Sequence, residues 1–352
     1  MPVVELQIEN LRSIAQLRMR PQPGWNWLIG ANGVGKSTVL EALHLLASGQ
    51  SWRRGQRQLI REGSEHYRLG ARLNDSSASF IGMRRQGEER EIARDGERIH
   101  SAWELLEALP LQAWHEGNAH FVSATAEERR RILDWGLYYA DRRYGSSLRE
   151  YRHALKQRNA ALRQGLNPQP WNAAVIGLGT RIQEQRTAHI NTLQGHFQGI
   201  WAASPQAEQA VDFVLHPGWT GDLAEALERD LAIDRQFAYT HSGAHRARLQ
   251  FRAQGRAAAE QLSRGQLRLL GIAFRLAQIA VQRDAGAALP VILIDDFAAE
   301  LDTHARQWWM QELQALQTQI FAASTEIPTE PGGAIFYLHA GRLIEESNDE
   351  KL

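Results

Sequence analysis

The string Gly30-Ala31-Asn32-Gly33-Val34-Gly35-Lys36-Ser37, followed by Thr38, limits the possible fold more than any other stretch of the chain. It fits G-x-x-x-x-G-K-[ST], a pattern that average residue usage yields by chance in about one chain in a hundred of this length. The flanks sharpen it. Trp25–Ile29 is a short apolar run that predicts a strand, and Ser37–Leu46 carries apolar residues at helical spacing. In that context glycines let consecutive N–H groups curl round a phosphate, and the helix start adds positive potential. Lys36 is then placed to hold the β- and γ-phosphates of ATP, the Ser37 hydroxyl to ligate Mg²⁺, and the rest of the loop with Thr38 to line the nucleotide. Of 40 basic residues, lysine occurs only at positions 36, 156 and 351, so a chain that otherwise uses arginine keeps a lysine here.

A phosphate loop also needs an acidic partner at the end of a buried strand. Val291–Ile294 is fully apolar and mostly β-branched, as in a buried parallel strand, and runs into Asp295 and Asp296. Asp295 is placed to orient Mg²⁺, and Asp296 to polarise the attacking water. The bland alternative is a solvated acidic turn. About 260 residues separate Lys36 from Asp295, much more than in simple P-loop enzymes. Between them, Leu262-Ser263-Arg264-Gly265-Gln266 opens a long apolar-faced helix over Ser263–Arg283. The pentapeptide resembles the ABC signature, which binds the γ-phosphate held by a second protomer. Ser263, Gly265 and Gln266 join the nucleotide site on that reading, with a hydroxyl, an unhindered N–H and a positive helix end. Since a signature cannot reach its own chain's phosphate, ATP-dependent homodimerisation follows. Glu300-Leu301-Asp302 fits the loop that lines such an interface.

The fold class expected is therefore α/β, an ABC-type (SMC-like) P-loop ATPase head. Strands are predicted at Val3–Ile8, Tyr67–Leu73, Ser77–Arg85, His245–Ala253, Ile320–Ala323 and Ala334–Leu338, and helices at Ser101–Leu109, Glu127–Tyr139 and Leu223–Ala232. From Ser146 the character changes. Leu148, Tyr151, Leu155 and Leu162, then Leu178, Ile182, Ile190, Leu193, Phe197 and Ile200, fall at helical spacing on either side of a Pro-containing break. This predicts an antiparallel helical hairpin with arms of roughly 30 Å, inserted in the head; two ordinary bundle helices would give the same pattern. The division expected is 1–145 for the N-terminal part of the head, 146–204 for the arm and 205–352 for the C-terminal part.

Composition narrows the partners. Lys plus Arg and Asp plus Glu both number 40, so DNA contact must come from local patches, not from a bulk field. Candidates are Arg53-Arg54-Arg57-Arg61, Arg84-Arg85 and Arg129–Arg131, each of which also fits dispersed solubilising charge. Cysteine is absent, which excludes thiolate catalysis and Cys-based metal sites. No apolar run approaches the roughly 20 residues of a membrane span, and the N-terminus lacks a signal pattern, so a cytoplasmic location without membrane contact is expected.

Beyond these shared parts, the chain resembles the RecF family of bacterial DNA-repair ATPases. The resemblance rests on Ile8–Ser13, on the phosphate loop followed by Leu-Glu-Ala-Leu, and on Glu128–Gly136. It continues through Leu155–Ala160, His245-Arg246, Leu262–Gln266, Leu293–Phe297 and Glu300–Asp302, in order along nearly the whole chain. It implies ATP-dependent DNA binding at gapped duplex and single-/double-strand junctions, with slow ATP hydrolysis. It also implies partnership with RecR and RecO in loading RecA, and support of the SOS response. By position Arg12 matches the family arginine near the nucleotide, and Gln112 the glutamine that couples metal to head. Leu11, the loop His115–His120 and the segment Gly243–Arg248 depart from the family pattern. An ABC transporter subunit, an SMC-like DNA-bridging protein and an ATPase-nuclease are the competing readings. The hairpin and the long motif separation oppose the first, the short arms the second, and the lack of a further acidic cluster after the signature the third.

Overall fold

Every side chain of Trp25–Ile29 is buried, because this strand (β3) lies inside a parallel sheet covered on both faces. The computed structural model describes residues 2–53, 59–74, 79–115, 121–297, 301–327 and 332–344. Within these, the chain forms two compact units, 1–119 with 288–306 and 310–352, and 120–287 with 307–309.

The first unit stacks two sheets on one helix. An antiparallel sheet has the order β2-β1-β4-β5-β6-β7, with β1 Val3–Leu11, β2 Ile14–Met19, β4 His66–Leu73, β5 Phe80–Gln86, β6 Glu89–Arg94 and β7 Glu97–Arg98. The second sheet has the order β15-β14-β3-β13-β12-β8, with β8 Leu111–Trp114, β12 Val291–Ile294, β13 Ile320–Ser324, β14 Ala334–His339 and β15 Arg342–Ile344. All its pairings are parallel except β14 with β15. The helix Lys36–Ser48 lies between the sheets. Val39, Leu40, Leu43 and Leu46 are fully buried on it, in one core with Leu6, Ile8, Leu28, Leu293 and Phe321. Each such burial is worth about 1.5–3 kcal/mol, so the P-loop helix is held from both faces. One strand, β13, separates β3 from β12, which sets the two motif-bearing tips about 10 Å apart on the same sheet edge.

The second unit carries the hairpin, whose helices span Arg142–Arg163 and Asn172–Ala202 around a turn at Gly165 (φ 68°). At 1.5 Å per residue they are about 33 and 46 Å long, the second exceeding the roughly 30 Å expected. Their apolar stripes run into the helix Ala126–Ala140, the signature helix Arg264–Asp284 and a small sheet of β9 Val211–His216, β10 Arg248–Ala253 and β11 Arg256–Ala257. Phe213, Phe251 and Phe274 meet there at centroid distances of 5.1–5.9 Å. The hairpin therefore shares one core with residues on both sides of it, and the boundaries at 145 and 204 do not coincide with the edges of a unit.

Other differences are local. The helix expected over Leu223–Ala232 is two, Leu223–Arg229 and Leu231–Phe237, broken at Asp230, whose carboxylate accepts the Ser242 hydroxyl at 2.6 Å. The strand expected from His245 starts at Arg248, after a 3-10 turn. The strands β2, β6–β9, β11 and β15 and the helix Thr303–Ala315 lie outside the elements expected above, although the helix buries Ala305, Trp308, Trp309 and Leu313 at helical spacing.

Candidate functional site

Three glycines shape the loop after β3. A Cβ on Gly30 would meet the Leu338 carbonyl oxygen at 2.5 Å, so backbone occupies the space a side chain needs. Gly33 and Gly35 take φ 81° and 113°, conformations that other residues rarely adopt. The helix begins at Lys36 without any side-chain cap, leaving its first N–H groups and its positive end for the loop. Ala31, Asn32 and Gly33 form the exposed tip, Val34 is half-buried beneath it, and Thr38 is buried behind it.

Lys36 is 8% exposed and donates from Nζ to the carbonyl oxygens of Gly30 at 2.7 Å and Ala31 at 2.9 Å. Burial lowers its pKa, against the opposing pull of Asp295 and Asp296. Ser37 Oγ donates to Asp295 Oδ1 at 2.7 Å across 258 residues of sequence. Burial raises the Asp295 pKa, opposed by the Ser37 hydrogen bond and the charge of Arg53. The Asp295 N–H is fixed by the Trp114 carbonyl at 2.8 Å. A hydroxyl and a carboxylate oxygen thus converge beside the buried ammonium. Two hard oxygen donors of this kind suit Mg²⁺, which uses few protein ligands and completes its shell with phosphate and water. Among the described residues no cluster of three His, Asp or Glu forms a metal cage. Asp296 is exposed and holds φ 63°, a left-handed conformation that aspartate and asparagine adopt more readily than other non-glycine residues.

Behind the loop lies a charge network that sequence reasoning missed. Glu41 on the P-loop helix is fully buried and accepts two hydrogen bonds from Arg12, at 2.5 and 2.8 Å, and one from Ser51 Oγ. Arg53 lies 3.9 Å from Glu41 and 3.8 Å from Asp295. Arg12 is therefore tied to the P-loop helix by a bidentate pair, at the turn of β1 into β2, where it takes φ 48°. The signal for Glu41 was an acid on an otherwise apolar helical face, one turn after Ser37.

The other expected residues make contacts of their own. Gln112 sits inside β8 opposite Ile292, short of the Asp295 level, and its side-chain oxygen accepts from the Trp114 indole at 2.9 Å. It does not point at Ser37 or Asp295 through any bond. Ser263 caps the signature helix in a reciprocal pair with Gln266, whose amide also donates to Gln206 at 2.9 Å; Gly265 is half-buried at the same helix start. These three belong to the second unit, whereas Lys36 and Asp295 belong to the first. Arg54, Arg57, Glu300 and residues 116–120 lie outside the described residues. The basic clusters divide. Arg129 and Arg130 spend their guanidinium groups on the carbonyls of Leu249, Val122, Ala124 and Ala247 and act as internal fasteners. Arg84 remains exposed on β5.

Fold and loop together define a P-loop ATPase head of the SMC type, and the family model for the RecF/RecN/SMC N terminal domain matches residues 2–329. Among relatives, the chain is 35% identical to the DNA replication and repair protein RecF of Stenotrophomonas maltophilia, over 93% of this chain and 94% of that one. It is 34% identical to the RecF of Marinomonas sp., over 94% and 92%. The chain belongs to the RecF family. Its fold is similar to that of the recombination mediator protein RecF solved with ATP (TM-score 0.86, 20% identity, 98% and 97% coverage) and less so to the Smc head of Pyrococcus furiosus (0.61, 15%, 97% and 94%).

Proposed function

We propose that this chain is an ATP-dependent DNA-repair protein that works as a nucleotide-gated clamp. The observation that carries the reading is the Ser37–Asp295 hydrogen bond beside Lys36, which joins the two halves of a nucleotide-hydrolysis site in a RecF-family chain. Lys36 exchanges its contacts with Gly30 and Ala31 for the β- and γ-phosphates, and the loop N–H groups take the remaining oxygens. Ser37 and Asp295 would hold Mg²⁺, which would supply charge neutralisation for those phosphates. A second copy supplies Ser263 and Gly265 over the γ-phosphate, so two ATP molecules join two heads and create one DNA-binding surface. Asp296 accepts the proton of the attacking water; an aspartate is shorter than the glutamate of transporter ATPases, which fits slow turnover and a timing role. The DNA target is a gapped duplex or a single-/double-strand junction, and the partners are RecR and RecO in loading RecA, with support of the SOS response. The relatives' name supports repair over transport, and among the described residues no helix is long and apolar enough to cross a membrane.

Sedimentation with and without ATP and gapped DNA tests the clamp. Asp296→Asn is the sharpest variant, because asparagine tolerates the left-handed backbone at this position while losing the carboxylate. It is expected to bind ATP normally, to lose at least about 100-fold in hydrolysis and to accumulate as a dimer. A variant that stays monomeric with ATP contradicts the clamp. DNA-independent ATPase activity in the unaltered chain favours the transporter reading.

A further inference from the structure

The short helix Leu231–Phe237 ends on rings that face solvent: Phe237 is 53% exposed and Tyr239 39%. Ala238, between them, holds φ 59°, a left-handed conformation that is costly for alanine and persists only where the surroundings impose it. The surroundings are rigid. Thr240 donates from N and Oγ1 to Asn159 Oδ1 at 2.9 and 2.6 Å and accepts from Arg158 at 2.6 Å. His241 is held through N and Nδ1 on Asp234 at 2.9 and 2.8 Å, and Asp234 pairs with Arg158 at 2.7 Å, both fully buried. A buried, charged frame thus fixes a turn whose product is two outward aromatic rings. Tyr239 lies 4.2 Å from the His241 ring, Phe237 lies 5.7 Å from the same ring, and the Arg246 guanidinium sits 5.2 Å over Tyr239. From Leu231 to Arg248 the exposed charged side chains are Arg235, Arg246 and Arg248, while the acid in this stretch, Asp234, is buried. Flat rings beside the exposed Arg235, Arg246 and Arg248 suit a polyanion that offers flat faces of its own.

We propose that Phe237, Tyr239 and Arg246 form a stacking step for the unpaired bases of single-stranded DNA. This rests on the DNA reading above and adds the feature that would tell a gap from intact duplex. Bases in a duplex are already stacked on one another, whereas a gap strand has faces to give, and stacking of this kind is tolerant of sequence. Arg246 both stacks on Tyr239 and meets the strand's phosphates.

The test is fluorescence anisotropy of the full chain with ATP on three probes: a blunt duplex, a gapped duplex, and the same gapped duplex with abasic sites along the gap. Phe237→Ala and Tyr239→Ala are each expected to weaken binding of the gapped duplex by about 5- to 100-fold, with the blunt duplex changed by less than about 2-fold. Tyr239→Phe and Phe237→Trp keep the rings and are expected to keep the gap preference. The abasic gap is expected to bind the unaltered chain as weakly as the normal gap binds the alanine variants. Equal losses on gap and duplex overturn the stacking step, as does an abasic gap bound at full strength. So does a loss of gap preference in the ring-keeping variants, or an alanine variant that keeps gap binding but no longer self-associates, which would mark a protein contact. An unaltered chain that binds none of the three probes removes the DNA reading and this proposal with it.

Discussion

Replacing Arg186 by methionine removes the centre of a buried hub that joins four segments of the second unit. Arg186 is 1% exposed and donates to both oxygens of Asp134, at 2.9 and 3.0 Å, to Tyr144 Oη at 3.0 Å and to the Ala244 carbonyl at 2.7 Å. Tyr144 donates in turn to Asp134 at 2.6 Å. Burial opposes charge on the guanidinium, but Asp134 and Tyr144 outweigh it and hold its pKa above the ordinary value. Methionine matches the stem in length, so the change lies mainly in the charge. It strands the Asp134 carboxylate with Tyr144 as its remaining hydrogen-bond partner and leaves the Ala244 oxygen with only the long bond from the Ala247 N–H, at 3.4 Å. Removing one member of a buried pair costs about 3–5 kcal/mol. In a unit of roughly 170 residues this lowers the melting temperature by roughly 6–20 °C, at about 2–4 °C per kcal/mol. The measurement is calorimetry of the full chain with urea titration as a second probe. The paired variant Asp134→Leu with Arg186→Met is the control. It removes the stranded charge, so it should recover about 1–2 kcal/mol relative to Arg186→Met alone. A single variant that loses less than about 1 kcal/mol, or a paired variant that is worse than the single, refutes the reasoning.

Two further predictions concern the loop and the unit's pH response. Gly30→Ala forces a Cβ to within 2.5 Å of the Leu338 carbonyl, so the loop shifts and equilibrium ATP binding weakens at least about 10-fold while the melt changes little; tight binding would show that the loop yields freely. His189 and His245 are held neutral by burial, with pKa values lowered to about 4, and His245 keeps one tautomer by accepting from Tyr151 at 2.8 Å and donating to Thr240 at 3.0 Å. Because the unfolded chain takes up these protons near the ordinary pKa and the folded chain does not, stability is retained above about pH 6.5 and falls as the pH drops toward 4. Between about pH 7 and 5.5 the loss is about 1.2 kcal/mol per histidine, read as a lower urea midpoint and flattened in His189→Gln; a midpoint constant over this range rejects it.

How much of this was legible depended on distance along the chain. The phosphate loop, the acidic strand end and the signature helix start are each contiguous strings whose chemistry needs their neighbours in sequence, and the structure has Lys36, Ser37 and Asp295 in one place. The count along β8 was not legible. The family resemblance gives Gln112 a metal-coupling role by position; pairing with β12 sets it opposite Ile292, and register is a property of two strands at once. Arg129 and Arg130 read as a surface cluster because sequence shows charge without showing which carbonyls it meets.

By itself the sequence determined the class of chemistry, since a glycine loop, a lysine and a helix start act on a phosphate through backbone groups only a few residues apart. Tertiary structure alone decided that Glu41 would be buried between Arg12 and Arg53, and that the hairpin would share a core with the signature helix. It also decided that Phe237 and Tyr239 would be turned outward on a buried ion pair. Those outcomes depend on which faces meet and which charges lose their water, and both are settled only when segments far apart in the chain pack together.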